Sequence, residues 1–137
     1  MKLEHFALNV EEPLAMADWY VEHLELKVVK QLQDPPYMTF LADNSDRIMI
    51  EIYRNPADEV PLYREMNPLL VHLAFVSEDP AHDRARLEKA GASVVSDQQY
   101  EDGSHLVMLR DPWGLSLQLC KRSTPMLAET ERKAGNQ

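Results

Sequence analysis

Leu3-Glu4-His5-Phe6-Ala7 returns as Leu70-Val71-His72-Leu73-Ala74, and Ile48, Ile50 and Ile52 around Glu51 return as Leu115, Leu117 and Leu119 around Gln118. The shift is 67 residues in both cases, and it also carries Glu11-Glu12-Pro13 onto Glu78-Asp79-Pro80. His5 therefore precedes Glu51 by 46 residues, and His72 precedes Gln118 by the same 46. A repeat at constant offset marks one supersecondary unit used twice. Here the unit brings two potential metal donors with it each time.

Reading outward from these anchors, each copy predicts a strand, a helix and three further strands. Leu3 to Glu11 and Leu69 to Glu78 alternate weakly and end at acidic residues followed by Pro13 and Pro80. Proline is tolerated in the first turn of a helix, where its missing N–H has no partner to lose. The first helix is expected from Pro13 to Leu24, with Leu14, Ala17, Tyr20, Val21 and Leu24 on its buried stripe. The second runs from Pro80 to Ala90 and stops at Gly91, a residue suited to the left-handed position after a helix. Strands are expected at Lys27 to Leu32, Tyr37 to Leu41 and Arg47 to Arg54, then at Ser93 to Ser96, His105 to Arg110 and Leu115 to Lys121. Pro35-Pro36, Asn44-Ser45-Asp46, Asp102-Gly103 and Asp111-Pro112-Trp113-Gly114 supply the turns between them. The expected layout is one domain over 1–122, with repeats at about 1–54 and 69–122 and a proline-bearing linker at 55–68. The tail, 123–137, is polar, with a frayed helical pattern and no assigned role.

Strand parity then sorts the side chains. Successive residues on a strand face opposite ways. Ile48, Ile50 and Ile52 share one face, and Met49, Glu51 and Tyr53 the other; Leu115, Leu117 and Leu119 oppose Ser116, Gln118 and Cys120. His5 lies with Ala7 and Asn9 against Phe6, Leu8 and Val10, and His72 with Ala74 against Val71, Leu73 and Phe75. The bulky faces suit helix packing. All four polar residues fall on the opposite face, the pattern of a curved sheet with a cleft.

A lone histidine on a strand is ordinarily structural. Four donors at equal offsets on cleft faces point instead to a cation. Two imidazoles, a carboxylate and a carboxamide oxygen suit Zn, Ni, Fe, Mn or Co in the divalent state, so His5, Glu51, His72 and Gln118 are the expected ligands. Glu51 is also the expected catalytic base, because the Gln118 carboxamide has no accessible basic site. Cys120 reads as an inert buried thiol and His23 and His82 as solvated helix residues. His105 stays a minor candidate for substrate contact, on a strand whose inward face the sequence leaves open. Trp113 reads as packing, and its neighbours as turn chemistry.

Composition bounds the partners. A net charge of −9 disfavours nucleic acid and anionic membrane, both of which require basic patches. No apolar run follows a basic head at the start, and none is long enough for a membrane span. The single cysteine fits a reducing compartment, so a cytoplasmic location is expected.

These motifs resemble the vicinal oxygen chelate superfamily, which includes glyoxalase I, extradiol dioxygenases, methylmalonyl-CoA epimerase and the fosfomycin and bleomycin resistance proteins. Leu3-Glu4-His5, Ile50-Glu51-Ile52-Tyr53, His72-Leu73-Ala74 and Asp111-Pro112-Trp113-Gly114 match its landmarks in order, from Leu3 to Cys120. The resemblance implies an α+β fold of two tandem βαβββ modules in a cup-shaped mixed sheet, one metal per cup and a homodimer. His5, Glu51 and His72 stand where glyoxalase I has its first three ligands, and Gln118 where that enzyme has a catalytic glutamate. Asn9 replaces an arginine that contacts glutathione in bacterial glyoxalase I, whereas Asn55 matches an asparagine of that site. Asn9, Asn55 and Tyr53 are the expected substrate contacts. The expected activity is that of a lyase or isomerase on a small oxygen-chelating substrate. The alternatives are a non-catalytic small-ligand binder of the resistance type and an extradiol-type dioxygenase.

Overall fold

The structure, a computed structural model, describes residues 1–127. Its order is β1 (His5–Asn9), α1 (Pro13–Leu24), β2 (Lys27–Gln31), β3 (Thr39–Ala42) and β4 (Met49–Tyr53), then a short 3-10 turn at Tyr63–Glu65. The second copy follows as β5 (Leu73–Val76), α2 (Pro80–Lys89), β6 (Ser93–Gln99), β7 (His105–Arg110) and β8 (Ser116–Lys121). The strands form two four-stranded sheets in the orders β1-β4-β3-β2 and β5-β8-β7-β6. In each, the first strand pairs parallel to the last, and the remaining pairs are antiparallel. The duplication read from the sequence is therefore a duplication of topology. Residues 128–137 of the expected tail lie outside the described residues.

The helix faces of both sheets contribute to one core. Leu8, Val10, Leu41 and Ile52 from the first module join Leu87, Val107, Leu109, Leu115, Leu117 and Leu119 from the second. Each such aliphatic side chain contributes about 1.5–3 kcal/mol when fully buried. The α1 stripe is broader than expected and rotated: Met16 and Trp19 are buried with Ala17 and Tyr20, while Val21 is exposed. The reason is tertiary. This helix covers its own sheet and also meets the other module, so two adjoining faces are buried.

Polar contacts fasten that junction. Tyr20 Oη donates to Asp111 Oδ2 at 2.6 Å in a fully buried setting, and Asp111 Oδ1 accepts the backbone N–H groups of Trp113 and Leu115. Trp19 Nε1 donates to the Ala90 carbonyl at 2.9 Å, and Arg86 to the His23 carbonyl at 2.8 Å. Burial raises the Asp111 carboxyl above its ordinary range, and the Tyr20 hydrogen bond works against that rise. Burial pushes the Tyr20 hydroxyl well up, with the Asp111 charge adding to it. The expected turn at Asp111 is thus also a clamp between modules. Gly114, at φ +93, lets this turn pass beneath Arg64, whose Cβ would lie 2.6 Å from any added side-chain carbon.

Candidate metal centre

On the open face of the first sheet, edge strand β1 lies parallel to β4, with Ala7 opposite Glu51 and His5 opposite Met49. This stagger brings His5 Nε2 to 3.2 Å from Glu51 Oε2. Two donors bound at right angles to one cation, each about 2.1 Å from it, stand about 3.0 Å apart. The pair therefore has the separation of two adjacent ligands. His5 Nδ1 lies 3.0 Å from Glu4 Oε1; in the tautomer protonated at Nδ1 the ring donates to this carboxylate and presents Nε2 toward Glu51. Such an acceptor behind the ring fixes the tautomer of metal-binding histidines. The ring edge also meets Phe40, with centroids 5.3 Å apart at an interplanar angle of 90°.

The second module repeats the device with different parts. His72 sits one residue ahead of β5, after a turn over Pro68–Leu70, and its Nδ1 donates to the Pro68 carbonyl at 2.8 Å. A backbone carbonyl here does the work of Glu4, and Nε2 is again the nitrogen left for a ligand. Gln118 lies on β8 beside Ala74 of β5, with its Oε1 accepting the Cys120 thiol at 3.3 Å. Cys120 is buried, and burial pushes its thiol above the ordinary value, in keeping with an unreactive group.

Of the four candidate ligands, the described residues place His5 and Glu51 in direct contact. Among the described residues, no three His, Cys, Asp or Glu side chains converge on a point that could hold an ion. His72 does not join the first pair within one chain. The modules share a core on their helix sides. Both parallel edge strands, β1 and β5, are unpaired on their outer sides. Apolar residues crowd these edges: Val76 is 91% exposed and Leu69 80%, and Leu3, Phe6 and Leu70 are exposed as well.

The expected substrate contacts are organised differently from one another. Asn9 Oδ1 accepts the Asn55 backbone N–H at 2.8 Å, and its Nδ2 reaches the Asp58 and Glu59 carbonyls at 3.4 Å. Asn55 Oδ1 accepts the Ala57 N–H at 3.0 Å. The two asparagines shape the start of the linker. Tyr53, half-buried, stays on the Glu51 face. His105, open to either face in the sequence, is now fixed on the helix side, where Nε2 lies 2.6 Å from Asp97 Oδ1 and Arg84 holds the other oxygen at 2.6 Å. Arg84 first, then His105, lowers the Asp97 carboxyl. A pocket of about 360 Å³ beside His105 is lined by Glu78, Asp79 and Lys121 and includes none of the four candidate ligands.

Sequence reasoning missed Glu4 and Pro68 as the groups behind the histidines. Glu4 was adjacent to His5 in the repeated segment and could have been found. The Pro68 carbonyl depends on a turn with no sequence signature of its own.

Comparison with known proteins agrees with this architecture. A glyoxalase family protein from Enterococcus faecalis is 25% identical over 88% of this chain and 97% of its own, with a TM-score of 0.67. Lactoylglutathione lyase from Agrobacterium tumefaciens is 21% identical, covering 88% and 93%, with a TM-score of 0.63. TnmS3, an antibiotic binding protein from Streptomyces sp. CB03234, is 18% identical, covering 88% and 94%, with a TM-score of 0.66. No curated protein matches significantly in sequence. The sequence profile of the Glyoxalase/Bleomycin resistance protein/Dioxygenase superfamily matches residues 2–119; with its paired βαβββ modules, the chain belongs to that superfamily.

Proposed function

We propose that the protein holds one divalent cation between His5 and Glu51 of one protomer and His72 and Gln118 of a second copy, and acts as a lyase or isomerase on a small substrate with neighbouring oxygens. The observation that carries this reading is the 3.2 Å approach of His5 Nε2 to Glu51 Oε2 with Glu4 behind the ring. The donor set, two imidazoles with one carboxylate and one amide oxygen, suits a borderline cation. A second copy is invoked because His72 does not join His5 and Glu51 among the described residues, and because the edge strands β1 and β5 expose apolar residues suited to pairing across a twofold axis. With its lone cysteine reduced, the dimer suits the cytoplasm.

Bound there, the cation would polarise a substrate oxygen and acidify the neighbouring C–H bond. Glu51 is the one ligand able to take and return that proton. His5, turned by Glu4, and Phe40 against its ring fix the side from which Glu51 works. Gln118 completes the donor set without adding a base. No helix among the described residues is long and apolar enough to cross a membrane, and the net charge of −9 suits a small-molecule substrate better than a polyanion.

Elemental analysis of protein purified without added metal, combined with light scattering, tests the reading. A dimer with stoichiometric metal is expected; a metal-free monomer overturns it. Gln118→Glu supplies the missing carboxylate with almost no change of shape. This variant, loaded with Ni²⁺ or Zn²⁺, should isomerise the glutathione–methylglyoxal hemithioacetal faster than wild type, read as thioester absorbance. No turnover by either, with metal bound in both, would move the substrate away from that hemithioacetal. A second reading, a non-catalytic binder, is favoured by Gln118, which leaves Glu51 as the only carboxylate of the set. Dimer without metal would select it.

A further inference from the structure

Strand register aligns a row of side chains across each open face. In the first sheet the row is Ala7 on β1, Glu51 on β4, Phe40 on β3 and Lys30 on β2. In the second it is Ala74, Gln118, Met108 and Ser96. Residues directly opposite one another on neighbouring strands share a face, so Lys30 projects on the same side as Glu51. The contact between Phe40 and His5 confirms that side for the middle of the row. Adjacent strands are about 4.8 Å apart, which puts the Lys30 backbone on the order of 10 Å from that of Glu51. Lys30 is exposed and has no ion-pair partner among the described residues. The second row has no charged member.

We propose that Lys30 is a specificity residue that receives an anionic group at the far end of the substrate, with Phe40 beneath the apolar segment between that group and the chelating oxygens. The proposal rests on the metal-binding reading above. Substrates of the class are small acids in which a carboxylate or comparable anion stands one ring or a short chain away from the oxygens that chelate. The row of Gln118, Met108 and Ser96 is neutral, and Arg110, on the same face beside Ser116, is engaged by the Tyr63, Gly114 and Met66 carbonyls, so the anion is directed to the first module, where Glu51 also lies. A negatively charged protein gains from such a local cation, since the summed field of −9 otherwise opposes an anionic ligand.

Two hydroxamates test this without requiring turnover. Benzohydroxamate chelates through neighbouring oxygens, and its 4-carboxy derivative adds an anion across the ring. Calorimetric titration of the zinc-loaded dimer at low salt should show the carboxylated probe binding about fivefold more tightly, the scale of one accessible ion pair. Lys30→Met should reduce that ratio to about one and Lys30→Arg should restore it; raising the salt should shrink it in wild type. Equal affinities in wild type, or a ratio that survives Lys30→Met, would overturn the role of Lys30 while leaving the metal centre standing. If zinc is retained and neither probe binds, the inference about Lys30 fails while the metal centre stands; if zinc is not retained, the metal-binding reading fails and this inference with it.

Discussion

The two modules share a topology and a spacing of donors, yet they differ in what surrounds those donors. In the first, His5 meets Glu51 directly and is backed by the carboxylate of Glu4. In the second, His72 is backed by the Pro68 carbonyl, and Gln118 is occupied by the Cys120 thiol. Of the four candidate donors, Glu51 in the first half is the one carboxylate, and Gln118, its counterpart in the second, is neutral. In the proposed function, the shared scaffold would position donors in both halves while proton transfer would fall to Glu51 in the first. In that reading, a base on one side would give the site a direction, which two identical halves could not have.

The largest effects should come from breaking either half at its histidine. His5→Ala and His72→Ala should each weaken metal binding by more than about a hundredfold, since even loss of a supporting outer group costs 10–100-fold. Occupancy after dialysis against a chelator measures this. If both variants keep full occupancy, the assigned centre is wrong. If only His5→Ala loses metal, the second half is not a ligand pair.

The junction between modules is the next place to press. Tyr20→Phe removes the donor to Asp111 Oδ2 and should cost about 2 kcal/mol, the scale of an unsatisfied buried acceptor. The unfolding temperature should fall by roughly 7 °C for a domain of this size. The pH dependence follows from the raised Asp111 carboxyl. A carboxyl raised by burial contributes most below about pH 3.9, its ordinary value unfolded, and that contribution is lost as pH rises through the folded value. Losing the Tyr20 hydrogen bond raises the folded value further, so the deficit of Tyr20→Phe should be largest near neutrality and narrow in acid. A deficit independent of pH would mean that the ring packing, rather than the hydroxyl, was disturbed.

A smaller effect should separate the two ways of backing a histidine. Glu4→Gln keeps an acceptor but removes its charge, and should weaken metal binding by about tenfold. The second half has no equivalent carboxylate to lose. No change in affinity would mean that an amide oxygen orients His5 as well as a carboxylate does.

The smallest effect concerns Asp97, lowered by Arg84 and His105. A depressed carboxyl contributes above its unfolded value of about 3.9 and loses that contribution as pH falls through the folded value. Asp97→Asn should flatten this part of the acid limb of thermal stability and leave metal content unchanged. A change in metal content would connect this helix-side cluster to the centre, which the geometry does not.

The sequence by itself determined the duplication, the order of elements and the face that Glu51 and Gln118 share with their strand neighbours; His72, expected on a strand, lies one residue ahead of β5. These are local or periodic properties: the offset of 67, prolines at first helical turns, and an alternation of two along strands. The expected helix Pro13–Leu24 and strand His105–Arg110 have those bounds in the structure. The burial of Met16 and Trp19, the Tyr20–Asp111 clamp and the face of His105 were decided only by tertiary structure. So was the separation of His5 and Glu51 from His72. The face of His105 depends on how β7 registers against β6 and β8; the Tyr20–Asp111 clamp depends on how one module is placed against the other, and the energy that sets such placements is summed over contacts between residues distant in sequence. Periodicity says which way a side chain points; packing alone says what it meets.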